Sequence, residues 1–478
     1  MSSTSPALSR PLPPTSPPGS LKDTKLGDTA ALDRVTSIAE ASISPEGSTQ
    51  KRRYYGLAII CLLNLVLTWV WLSYAMVNAY AQEWFEVGPQ SINWFSTIYG
   101  LAFIPFPLSG WFIHKYGLRT SIITGSIVTV VGNWVRYAGT AKASFAGAMV
   151  GQTLLGVAQI FVLPISSAYS ELWFHPHHRT TPTTVGSISP TLGSMIGSLA
   201  TPYLAKKTSE LPQSILIVAI ISTVVAIGAI FVPGKPSSMR TTQPDVSESS
   251  SHTPSSRDHL VMMIKSPEFY MVAVPFIVGL AIFNCWASLL LLYLVPCGFA
   301  VEDAGLLTGL QTGIGMIVSL AVAPIVDKWR AHIPTLKVLT VIQVALYVAF
   351  VFVPPSRNRG SAFAVAVLMG VAGTTSLSLS LETLAEILYP VPPEFTSTAC
   401  WCIGNVLGAV WLFAFAAGMN ENGDPPGEMS RTLYAQAALA AVCLGVPINL
   451  LGLFGRQDKS RFRRREFSIR GHAEGSLA

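Results

Sequence analysis

The sequence predicts an all-α membrane protein with twelve transmembrane helices arranged as two six-helix bundles. Three observations lead there. Half of the 478 residues are hydrophobic and only 12% are charged, a balance outside the range of ordinary soluble domains. The apolar residues gather into twelve stretches, each close to the roughly 20 residues needed to cross a hydrocarbon core about 30 Å thick. A polar, Ser-rich interruption near Pro236 to Arg257 divides the stretches into two sets of six.

In chain order the first six spans are read at Leu57 to Tyr80, Asn93 to Ile113, Thr120 to Ala138, Phe145 to Tyr169, Thr184 to Leu204 and Ser214 to Val232. The second six are read at Tyr270 to Leu294, Ala304 to Val326, Leu336 to Val353, Ser361 to Leu381, Ser397 to Gly418 and Thr432 to Phe454. The expected domains are a disordered tail at 1–53, a first bundle at 54–233, a flexible linker at 234–266, a second bundle at 267–455 and a basic tail at 456–478. The N-terminal tail and the linker are rich in Ser, Pro and Thr and poor in clustered aliphatics, so burial cannot offset their chain entropy. The first apolar stretch begins after residue 55 and is too long for a signal core, so it reads as an internal first span.

Charge placement gives the expected topology. The formal net charge is +6, but Lys and Arg sit in short loops and tails beside the spans rather than on one folded basic face, which argues against nucleic-acid binding. Lys51, Arg52, Arg53, Lys115, Arg119, Lys265, Lys328 and Arg330 all fall on one side together with the basic C-terminal cluster. By the positive-inside rule both termini are cytoplasmic. Lys206, Lys207, Arg357 and Arg359 run against that bias. The expected location is the plasma membrane, with a vacuolar or lysosomal membrane as the alternative.

Five of the six cysteines lie within spans and read as small apolar residues. Cys400 and Cys402, two apart on a helix, point away from each other. His175, His177 and His178 read as a polar loop rather than a metal site. With no H-E-x-x-H, phosphate loop or nucleophile elbow, the chain is expected to be neither an enzyme nor a carrier of a metal or cofactor. Glycines recur at helical spacing at Gly147 and Gly151, at Gly193 and Gly197, and at Gly305, Gly309 and Gly313, where helix backbones are expected to approach closely.

Polar and aromatic residues inside the spans are the functional candidates. Trp71 lies mid-span with Tyr74 three residues on, so both are expected on one side of the first helix. An indole face attracts a quaternary ammonium by about 2 kcal/mol when desolvated. Gln159 is an amide in an apolar stretch and needs partners. Glu382 and Glu386, four apart in the tenth span, are intramembrane acids, the first a candidate for the substrate cation or a proton and the second for the inner gate. Arg136 and Glu171 lie near span ends and are expected to snorkel.

The loop after the second span, Gly110-Trp-Phe-Ile-His114-Lys115-Tyr-Gly117-Leu-Arg119, resembles the gating signature of the major facilitator superfamily, with His114 where that signature usually has Asp. Asp327 followed by Lys328 occupies the equivalent place in the second half, as an internal duplication would give. A closer resemblance rests on Val150-Gly151-Gln152, Val157 to Phe161, Trp173-Phe174, Trp71 and Tyr74, Asn93 to Phe95, Trp134-Val135, and the set Glu382, Glu386, Tyr389 and Pro390. It is similar to the feline leukaemia virus subgroup C receptor-related (FLVCR) transporters, which are associated with choline, ethanolamine and haem. That resemblance implies a choline cage at Trp71 with amide contacts from Gln159 and from Asn405, where the family has Gln. The family's second cage aromatic falls at Asn284; the nearest aromatic, Trp286, is about 200° further around a helix. Phe283 to Trp286 also resembles the lysosomal, vitamin-transporting relatives.

The expected function is facilitative alternating-access transport of choline or a related amine, with haem also in range. The centres of the first, fourth and seventh spans carry no titratable acid, which favours uniport. Two alternatives stay open: a proton-coupled transporter of a pyridoxine-like vitamin or organic metabolite in a vacuolar or lysosomal membrane, and a non-transporting receptor or sensor on the same scaffold. The expected partners are a small organic solute and the lipid bilayer, with the protein acting as a monomer.

Overall fold

Backbone amides in hydrocarbon find hydrogen-bond partners only within the chain, and a helix supplies them locally. The computed structural model describes residues 47–106, 108–174, 180–234, 256–329, 331–388, 391, 393–419, 429–445 and 447. Every regular element among them is helical. The contacts given below lie within the compact unit that starts at Arg53.

Helix is present at each of the twelve expected positions. The first span is α1 (Gly47–Leu72), a turn with a 3-10 segment at Ala75–Val77, and α2 (Asn78–Phe85). The second is divided into α3 (Pro89–Leu101) and α4 (Leu108–Tyr116). The third is α5 (Leu118–Ala141), the fourth α6 (Phe145–Val162) continued by α7 (Ile165–Trp173), the fifth α8 (Thr180–Leu204) and the sixth α9 (Leu211–Ile230). A short α10 (Ser256–Lys265) precedes α11 (Pro267–Leu294), α12 (Val301–Trp329), α13 (His332–Val351), a single turn α14 (Val353–Ser356), α15 (Arg359–Ile387), α16 (Pro393–Ala416) and α17 (Ser430–Ala440).

Eight of these helical spans among the described residues are long and apolar enough to cross a membrane. The others fall short for visible reasons. A turn through Pro105 interrupts the second span. In α5 the buried face carries Ser126, Thr129, Asn133, Arg136 and Thr140, whereas Ile127, Val131 and Trp134 are exposed. That helix is polar inward and apolar outward. The fifth span is diluted by Ser, Thr, Gly and Pro, and the end of the twelfth lies outside the described residues.

The expected linker carries a helix at its C-terminal end. Residues 256–265 are helical because Met263 is buried in a cluster with Phe269 and Val272. Residues 1–46, the remainder of the linker at 235–255 and the basic tail lie outside the described residues.

The glycine spacings mark helix contacts. Within the first half, a Cβ on Gly151 would lie 2.4 Å from the Arg136 nitrogen on α5, and one on Gly193 would lie 2.2 Å from the Leu65 carbonyl oxygen on α1. Gly305, Gly309 and Gly313 bring α12 onto Ser198, Leu199 and Met195 of α8. A second contact between the halves joins α3 to α16, where Trp94 meets Phe413 and Gly100 meets the Asn405 carbonyl. These seams run from the middle of the helices toward the end away from the C-termini of α4 at Tyr116 and of α12 at Trp329.

Candidate functional site

Four of the candidate residues lie near the middle of their own spans. Trp71 lies in the first span, Arg52–Phe85, Asn284 in Pro267–Cys297, and Asn405 in Phe395–Ala416, while Gln159 is central to the α6–α7 span. Similar depth is the first requirement for a shared site.

The break in the first span explains how Trp71 comes to stand between the halves. Ser73 turns its hydroxyl back to the Val70 carbonyl at 2.8 Å, a local bond that competes with the helical ladder. The chain tightens into the 3-10 segment, which packs on α3 and α8 of the first half and on α11 and α12 of the second. Trp71, half-buried, packs against the apolar cores of both halves. Its indole is therefore part of the seam between the halves.

On the opposing side, Asn284 donates from its amide to Oδ1 of Asn405 at 3.0 Å, and Asn405 donates to the Trp401 carbonyl at 2.8 Å. Both asparagines are half-buried. The pair joins α11 to α16 at the wall that α3 reaches through Gly100. Gln159 on α6 is buried with Oε1 lacking a hydrogen-bond partner. A buried unpaired amide oxygen retains its capacity to accept from a bound hydroxyl or amine.

The other candidates stand elsewhere. Tyr74 does not share a face with Trp71, because the helix ends between them. It is buried, its hydroxyl pairs with that of Thr140 at 2.6 Å, and its ring stacks on Phe95 with centroids 4.1 Å apart. Trp286 is fully enclosed in the second-half core and meets Phe350 edge-on at 5.3 Å. Since α11 is unbroken from Pro267 to Leu294, Trp286 points away from the face of Asn284. Glu382 lies nine residues past the centre of α15, roughly 14 Å along the axis, where it is half exposed and 3.9 Å from His332. Glu386 is half-buried one turn further on.

Arg136 corrects the snorkelling expectation. It is fully buried, donates from Nη2 to the Ser73 hydroxyl, and places its guanidinium carbon 4.3 Å from the centroid of the Tyr74 ring. The missed signal was periodicity: Ser126, Thr129, Asn133, Arg136 and Thr140 follow a helical repeat, and in a membrane a polar stripe belongs inside.

The sequence relationship matches this architecture. Residues 55–409 match the Major Facilitator Superfamily. The chain belongs to that superfamily. It is 24% identical over 395 residues to solute carrier family 49 member A3 from Danio rerio, covering 81% of this chain and 82% of the relative. It is 25% identical over 400 residues to the choline/ethanolamine transporter FLVCR2 of Rattus norvegicus, covering 79% and 71%. To the choline/ethanolamine transporter FLVCR1 of Felis catus it is 32% identical over 206 residues, covering 43% and 36%. Among solved structures, the nucleoside transporter NupG has a TM-score of 0.61 at 13% identity, covering 83% of this chain and 99% of its own. A D-xylose-proton symporter has the same TM-score of 0.61 and identity of 13%, covering 86% and 99%. The structural likenesses establish the fold. The protein is a multi-pass membrane transporter and not an enzyme.

The superfamily's loop after the second span is built around Gly117, whose φ of +84° is a conformation that favours glycine. Lys115 places its ammonium 4.9 Å from the Trp111 ring and 5.2 Å from the Tyr116 ring. Arg119 reaches the Ile230 carbonyl at 3.3 Å, at the end of α9, where a cation complements the helix dipole. Gly110, His114 and Asp327 lie outside the described side chains, and His175, His177 and His178 lie outside the described residues. Cys400 is buried in the second-half core, whereas the Cys402 thiol donates to the Phe103 carbonyl at 3.2 Å, so the two point apart.

Proposed function

We propose that this transporter carries choline or a closely related amine by facilitated diffusion, with Trp71 as the aromatic wall that holds the cation. The observation that carries the reading is the position of Trp71 at mid-depth, packed against the cores of both halves. A group in that position changes its surroundings whenever the halves rock, as alternating access requires. Gln159, Asn284 and Asn405 would supply polar contacts at the same depth. The similarity to proteins named choline/ethanolamine transporters supports the amine class.

In this reading residues 54–233 and 267–455 form the moving bundles, both termini are cytoplasmic, the protein acts as a monomer, and the membrane is the plasma membrane. The seams through Gly305 to Gly313 and Gly100 then belong to the outer side, which is closed. Asn284 supplies an amide rather than a ring, so the cage has one aromatic wall and a polar one. That asymmetry favours a small amine over haem, whose broad apolar macrocycle needs more aromatic surface.

The test is uptake of labelled choline by cells expressing the parent and Trp71→Ala, with ethanolamine, haem and pyridoxine as unlabelled competitors. Loss of about 2 kcal/mol of cation binding corresponds to roughly a thirtyfold weaker affinity. Saturable uptake that collapses in the variant supports the reading. Absence of choline flux in correctly inserted parent protein overturns it, and competition by pyridoxine alone would transfer the site to the vitamin class.

A further inference from the structure

Helix α1 ends at Leu72, and the end of a helix leaves its last four carbonyls without partners in the ladder. Two of the four are taken by groups that bear on Trp71. The Val70 carbonyl accepts from the Ser73 amide at 3.3 Å and from the Ser73 hydroxyl at 2.8 Å. The Trp71 carbonyl accepts from Oγ of Ser96 on α3 at 3.5 Å. The Ser73 oxygen in turn accepts from Nη2 of Arg136 on α5. With that oxygen occupied by the guanidinium, the hydroxyl proton is directed at Val70, and the two bonds reinforce each other.

Arg136 stands on a rigid base. A Cβ on Gly151 would lie 2.4 Å from its main-chain nitrogen, so α5 and α6 meet there backbone to backbone. Its carbonyl accepts from Oγ1 of Thr140 at 2.8 Å, and the same threonine hydroxyl pairs with that of Tyr74. Beyond the break, Trp84 on α2 donates its indole N–H to the Thr140 carbonyl at 2.7 Å. One short stretch of α5 thus holds the break and the segment that follows it.

The environment of Arg136 argues against a purely structural role. It is 0% exposed and forms no ion pair among the described residues. A buried charge without a counter-charge is unfavourable, and an apolar side chain of similar volume is often neutral or stabilising in such a place. The consequence of losing Arg136 therefore falls on what it holds, the Ser73 hydroxyl and, two residues back, the backbone of Trp71.

We infer that Arg136 is a positioning residue for transport: through the Ser73 hydroxyl it fixes the break that orients the Trp71 indole in the seam between the halves. The role needs no contact between Arg136 and the solute. The inference rests on the reading of Trp71 as the cation wall.

The experiment reconstitutes the full chain in liposomes and measures KM and Vmax for choline uptake in the parent, Arg136→Met, Arg136→Lys and Ser73→Ala. A second readout is the fluorine NMR spectrum of protein carrying fluorotryptophan, with the Trp71 and Trp286 signals assigned by Trp71→Phe and Trp286→Phe. Arg136→Met should raise KM about tenfold, part of the roughly thirtyfold set by loss of the indole, with Vmax within about twofold of the parent. Ser73→Ala should raise KM equally, and the two changes together no further. Arg136→Lys keeps a donor and should recover most of the parent affinity. In Arg136→Met and Ser73→Ala the Trp71 signal should shift, while that of Trp286, in the second-half core, stays in place. An unchanged KM with a lowered Vmax or melting temperature overturns the inference, the mark of an arginine that only braces the fold. Additive KM effects of Arg136→Met and Ser73→Ala overturn it too, as does a Trp71 signal that does not move. Should Arg136→Met fail to insert, Ser73→Ala decides by the same two readouts. Parent protein without saturable choline uptake defeats the Trp71 reading, and the fluorine signal of Trp71 then decides this inference alone.

Discussion

Gly305 offers a direct test of whether the two halves rock against each other. A Cβ at this position would lie 2.4 Å from the Ser198 carbonyl oxygen and 2.8 Å from Cγ of Pro202. Neither obstacle rotates away, since one is main chain and the other a proline ring. Comfortable contact begins near 3.5 Å, so Gly305→Ala forces a local separation of about 1 Å. Overpacking of this size costs about 1–3 kcal/mol. The strain lies between α12 and α8, on opposite halves, and rocking apart at this end relieves it. The population closed at this end should fall by roughly 5- to 150-fold relative to the open one. Spin labels at exposed Lys207 and Pro355 on a cysteine-free background should report a longer separation in Gly305→Ala, with little change in melting temperature. Gly193→Ala is the control, because its Cβ meets the Leu65 carbonyl at 2.2 Å within the first half. It should lower melting temperature and leave the label separation alone. If Gly305→Ala instead behaves like Gly193→Ala, the seam is a fixed part of the fold and the rocking argument fails.

The bond between Asn284 and Asn405 should appear in a double-alanine cycle as a coupling of about 0.6 kcal/mol, and no more than about 1.5 kcal/mol, in thermal denaturation; additive single effects would show that the pair is incidental. Trp286→Phe should change stability by no more than about 1 kcal/mol, because it removes a buried indole N–H that has no partner while keeping a ring against Phe350. Choline uptake by that variant should stay within about twofold of the parent if choline is the cargo, and a loss comparable to that of Trp71→Ala would return Trp286 to the site.

The fold was legible because lipid restricts the backbone to one local solution and because length and hydropathy measure that solution directly. Even so, hydropathy describes the helix faces unequally. It reads α11 well, whose buried and exposed faces are both apolar, and it underrates α5, whose buried face is polar. The same averaging concealed Arg136, whose proximity to a span end invited snorkelling while its register with Asn133 and Thr140 directed it inward. The glycine spacings were informative for a simpler reason: close backbone approach requires the absence of a side chain, and that requirement leaves a periodic trace whatever the partner helix contains.

Site residues were less legible because helix continuity is a tertiary property. Spacing assigns Trp71 and Tyr74 to one face, and that inference fails because Ser73 and Arg136 between them end the helix. Spacing separates Asn284 from Trp286, and that inference holds because nothing interrupts α11. The two spans differ in what approaches them. Near residue 73 a guanidinium from α5 binds the hydroxyl that has turned back on its own helix, whereas α11 at 284 meets a glycine, Gly408, and an amide from α16. An extended helix wall on one side and a broken, cation-pinned span on the other make the seam asymmetric.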